Sequence, residues 1–93
     1  MKKYNFIEDK KTMVITTKSI LKCKKDIVVV SHDEDDGMWE FLDGDDVTEE
    51  EASIVSLEEI FEIDNSVNEL FDLQLGWIAY RENKSSEWIR SIN

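Results

Sequence analysis

Apolar residues in this chain fall into short clusters separated by charged turns, and the spacing within each cluster predicts its element. Met13-Val14-Ile15-Thr16-Thr17 is β-branched and predicts a strand. The earlier tetrad Tyr4-Asn5-Phe6-Ile7 reads as a short first strand or a loose terminus. Thr17 is placed to cap one helical turn, Lys18 to Leu21. Ile27-Val28-Val29-Val30 lacks polar alternation, which predicts a central strand covered on both faces. Met38-Trp39-Glu40-Phe41-Leu42 follows an acidic turn and predicts an antiparallel return strand. Its alternation puts Trp39 and Phe41 toward the core and Met38, Glu40 and Leu42 on the other face, with Glu40 near that face's edge.

The second half changes period. Thr48 with Glu51, and Ser56 with Glu59, each show the capping-box spacing. Ser56 opens a helix from Leu57 to Ile63 with Leu57, Ile60 and Phe61 inward. Asp64 or Ser66 caps a second helix, Val67 to Asp72. Gly76 stands where a positive φ or a close backbone approach is expected. Trp77 to Arg81 reads as a strand with Trp77, Ala79 and Arg81 on one face. Ser86 opens a last helix, Glu87 to Ile92, with Trp88 and Ile92 inward. The expected fold over residues 1–93 is a single α+β domain: a small antiparallel sheet of about four or five strands with two or three short helices packed on it, those of the 56–72 region on one face. Trp39, Phe41, Gly76 and Trp77 are its structural anchors.

Charge is unevenly distributed. Residues 1–30 carry eight lysines against Glu8, Asp9 and Asp26, whereas residues 31–93 carry Arg81, Lys84 and Arg90 against nineteen acids. Between Ser31 and Tyr80 there are seventeen acids and no Lys or Arg. Such a field repels nucleic acid and anionic membrane and attracts a basic partner. The lysines around Cys23 read as a solvated connector. One cysteine excludes an internal disulfide and leaves a structural zinc site without ligands. With no apolar leader and no run long enough to span a bilayer, the expectation is a soluble cytoplasmic protein.

Few residues point to chemistry. Ser31-His32-Asp33 is not a triad, because strand neighbours point to opposite faces. Aligning Gly37 with the glycine of a calcium-binding loop places His32, Glu34, Asp36 and Asp43 at ligand positions, but the first and last ligands and the strand flanks are wrong. The alternative readings are a weak divalent-cation module on the Asp33 to Asp36 turn and a stand-alone protein with a housekeeping role. No cofactor and no catalytic residue is expected. Two acidic groups, Asp33-Glu34-Asp35-Asp36 and Asp43-Gly44-Asp45-Asp46, flank one strand and stand roughly 17 Å apart, too far for one metal cage.

The run from Asp36 to Asp45, DGMWEFLDGD, resembles a family of small bacterial proteins long listed as a domain of unknown function and later grouped with immunity proteins of polymorphic toxin systems. The threonine-rich strand Val14 to Thr17, the strand and acidic turn Val28 to Asp36, Gly37 to Phe41 and the turn Gly44-Asp45 carry the likeness. So do the helix leading to Asp64 and the strand with Gly76, Ala79 and Arg81. The resemblance covers about residues 13 to 82. It implies an α+β fold and a non-catalytic protein that binds and neutralises a toxin. Asp33, Glu34, Asp35, Asp36, Asp43, Asp45 and Asp46 are then the expected partner-binding residues, and the partner is expected to be a basic toxin domain.

Overall fold

A computed structural model describes residues 4–92; Lys2 and Lys3, part of the basic first third, lie outside the described residues. The chain forms an α+β fold with a six-stranded mixed sheet. The strands are β1 (Met13–Thr17), β2 (Val29–His32), β3 (Trp39–Leu42), β4 (Ala52–Ser56), β5 (Trp77–Tyr80) and β6 (Ile89–Ile92). Their order across the sheet is β4-β1-β3-β2-β5-β6. Helix α1 (Lys18–Leu21) follows β1, α2 (Leu57–Ile63) follows β4, and a 3₁₀ helix spans Asn65–Leu70. Among the described residues no helix is long and apolar enough to cross a membrane.

Local chemistry sets the helix ends. Thr17 Oγ1 accepts from the Ile20 N–H at 3.2 Å and starts α1. Ser56 Oγ accepts from the Glu59 N–H at 3.2 Å and starts α2, where Glu58 and Glu59 complement the helix dipole. Asp64, not Ser66, caps the 3₁₀ helix. All three caps stand just before helices too short to persist alone, so packing supplies the remainder.

The helices cover one face of the sheet. Val14, Thr16, Val30, Trp39, Phe41 and Ala79 point to that face and are buried. They meet Ile20 of α1, Leu57 and Ile60 of α2, and Val67 and Leu70 of the 3₁₀ helix. Phe6 joins them from the N-terminal segment, edge-on to Trp39 at 4.9 Å and to Phe61 at 5.5 Å.

Several expectations are corrected. The sheet has six strands rather than four or five, and β1 pairs with β3 in parallel at Ile15↔Glu40, so it is not wholly antiparallel. Ala52–Ser56, which shows only two large apolar residues, becomes a strand because β1 offers it a five-residue ladder. Residues 89–92 form a strand, not a helix. The expected six-residue helix, Glu87 to Ile92, has little stability of its own, whereas the free edge of β5 satisfies the backbone from Trp77↔Ile92 to Tyr80↔Ile89. Ile92 is 70% exposed rather than inward. Tyr4 to Ile7 is irregular, although Phe6 is buried. The valine run is covered on one face only, since Val29 is half-buried. Glu40 lies on β3, at the middle of the sheet rather than near an edge.

Candidate functional site

The two acidic turns sit at opposite ends of β3, as its length requires, and they are built differently. The first is organised by its own backbone. The Asp33 N–H donates to Met38 O at 2.8 Å, and the Gly37 N–H donates to Asp33 O at 3.0 Å. Asp33 Oδ1 accepts from the Asp35 N–H at 2.8 Å and Asp36 Oδ1 from the Met38 N–H at 2.9 Å, so two carboxylates hold the loop that carries them. Gly37 supplies φ +75°. Asp33 is half-buried, and Glu34, Asp35 and Asp36 are exposed. Among the described residues no Lys or Arg forms an ion pair with any of the four.

The turn rests on a firm base. His32 stacks on Trp39 with ring centroids 4.0 Å apart and planes 15° apart. Its Nδ1 lies 2.8 Å from the Leu73 carbonyl, an acceptor only, so Nδ1 carries the proton and donates. The Gly76 N–H donates to His32 O at 2.7 Å. Gly76 has φ +81°, and a Cβ there would stand 3.2 Å from the Glu34 carboxylate. The histidine is thus engaged in packing rather than aimed at a carboxylate.

The second turn is partly neutralised. Asp43 accepts from the Asp45 N–H at 3.0 Å and from Thr17 Oγ1 at 3.0 Å, and Lys25 forms an ion pair with Asp45. Ser19 Oγ donates to Glu51 at 3.3 Å. Thr17, Lys25, Asp43, Asp46 and Glu51 line an open hollow of about 250 Å³. The basic connector after α1 therefore folds against this end, while the first turn keeps its charge. The seven expected partner-binding residues do not form one patch. Among the described residues, no three carboxylate, imidazole or thiol groups gather in a metal-holding arrangement.

Two groups escaped the sequence reading. Arg81 is 6% exposed and ties three elements together. Its Nη2 donates to Asp64 Oδ2 at 2.6 Å and to Ile27 O at 2.7 Å, its Nε to Ile27 O at 2.9 Å, and its Nη1 to Ser66 Oγ at 2.9 Å. The Trp88 ring covers the guanidinium at 4.0 Å. Burial raises the Asp64 carboxyl, but hydrogen bonds from Ser66 and Arg81 and the Arg81 charge outweigh it and hold the pKa below the usual value. The signal was present in the strand alternation, which puts Arg81 on the face of Ala79: an inward arginine demands an acid. The second group is Glu40, half-buried on the uncovered face, with Ser31 Oγ donating to its Oε1 at 3.0 Å. Nothing local in the sequence marks it as central, because strand order is set by distant pairings. No family model, curated protein or solved structure gives a significant match to this chain.

Proposed function

We propose that this chain is a non-catalytic partner-binding protein of the immunity type, which neutralises a toxin domain by engaging its cationic surface. The observation that carries the reading is the Asp33–Asp36 turn. Its acidic side chains have no cationic partner among the described residues, and its own carboxylate–backbone bonds keep the loop in one shape. Preorganised charge of one sign steers a basic protein into encounter without an ordering cost at docking. The net charge of −11 and the resemblance of residues 13 to 82 to immunity-type proteins support the same reading. Nucleic acid and anionic membranes are repelled by the same field.

The test is the joint replacement Asp33→Asn, Glu34→Gln, Asp35→Asn and Asp36→Asn, which keeps the acceptors of the turn and removes its charge. Binding to, and protection against, candidate basic toxin domains is measured at low salt. A loss of at least about tenfold in affinity is expected, mainly through the association rate. Unchanged binding at low salt overturns the role of the turn.

A further inference from the structure

The helices leave the second face of the sheet uncovered. Of its strand positions only Thr17, at the end of β1, is buried. Ile54 is 64% exposed, Ile89 53% and Tyr80 41%, while Ile15, Val29, Leu42 and Ile78 are half-buried. The strand registers place these side chains in adjoining rows, with Glu40 beside Ile15 on one side and Ser31 on the other. Six strands of four to five residues span about 24 Å by about 13 Å, an area of about 300 Å². Apolar side chains fill only part of that area, with Glu40 near its middle and Ser31, Ser56 and Ser91 among them; contiguous exposed apolar surface of this kind often marks an interaction site.

We propose that this open face is the main docking surface for the partner, and that the partner meets it with apolar side chains around one arginine or lysine that pairs with Glu40. The inference rests on the partner-binding reading above and gives it a second surface and a chemistry. A partner covering this face strips water from a carboxylate that has, among the described residues, one hydrogen-bond donor, Ser31 Oγ. A charge desolvated in that way is costly unless a cation meets it. A second copy of this chain cannot supply one: from Met13 in β1 to Ser91 in β6, no strand position on this face is Lys or Arg. Two copies face to face would bury two unpaired carboxylates between bodies that each carry −11. Charge complementarity therefore selects a different, basic protein. The face itself provides less than half of the roughly 800 Å² that one side of a standard interface buries. The acidic turn at the end of β3 lies on its rim and extends the same footprint.

The test uses the full chain, labelled with ¹⁵N, and a synthetic helical peptide whose leucine face surrounds one arginine, with an Arg→Glu version as control. Amide shifts are expected at Ile15, Val29, Glu40 and Ile78, with the control peptide giving none. Glu40→Gln keeps the acceptor for Ser31 and is expected to weaken binding about tenfold. Ile54→Lys, at an exposed position, provides a second variant that also weakens it. Equal binding of both peptides overturns the pairing with Glu40. Shifts confined to residues 33–37 overturn this inference and leave the acidic-turn reading intact; no shifts anywhere overturn both. Sedimentation showing a dimer that Ile54→Lys dissolves assigns the face to a second copy and also overturns it.

Discussion

The two faces of the sheet are written into the same strands and serve different ends. In β3, Trp39 and Phe41 are buried, while Glu40 and Leu42 between and beside them are only half-covered. The covered face even absorbs an ion pair, Arg81 with Asp64, by giving every guanidinium nitrogen a partner. Among the described residues, the carboxylate on the uncovered face has one hydroxyl for a partner. The contrast teaches that burial of charge is tolerated here where the fold supplies the partner, and that the described residues give Glu40 no cation.

The sharpest way to break this contrast is to cut the two faces in turn. Phe41→Ala is expected to cost about 3–5 kcal/mol in urea unfolding, whereas its neighbour Leu42→Ala costs less than about 1.5 kcal/mol because it is only partly removed from water. Arg81→Met leaves Asp64 buried and unpaired, and a loss of about 3–5 kcal/mol is expected by the same measurement. An equal cost at Phe41 and Leu42 would mean that both faces are packed.

Acid sharpens the comparison. The Asp64 pKa is lowered in the folded state, so its contribution is fully present above the ordinary value of 3.8 and is lost as pH falls through the lower folded value. Unfolding midpoints measured between pH 5 and pH 2 should fall over that window, and Asp64→Asn should remove that part of the dependence. Gly76→Ala is expected to destabilise by about 1–2 kcal/mol, since alanine must adopt a left-handed φ and its Cβ presses on Glu34. The smallest effect is Ile54→Ser on the open face, within about 0.5 kcal/mol of the parent in thermal unfolding.

Local signals carried the elements that local chemistry controls. Thr17 and Ser56 marked the starts of α1 and α2, and the alternation in 39–42 and 77–81 assigned the sheet faces. What failed depended on residues far away. Ile89–Ile92 has helical spacing from Trp88, and only the edge of β5 makes it a strand. The parallel pairing of β1 with β3 has no turn to announce it. The acidic turns were visible as charge, but the neutralising of Asp45 by Lys25 and the solitude of Glu40 are products of strand order.

The position of β1 also makes the sheet depend on distant pairings. It lies between β3 and β4, so its register with Ile15↔Glu40 closes a loop of 25 residues and that with Met13↔Ser56 one of 43. Neither is a local hairpin, and loop closure must precede any return in contacts. The β2–β3 and β5–β6 hairpins are local by comparison, whereas β2 reaches β5 across a still longer span, Val29↔Tyr80. Until the segment ending at Ser56 is in place, Val14 and Thr16 lack the β4 ladder that completes their side of the sheet.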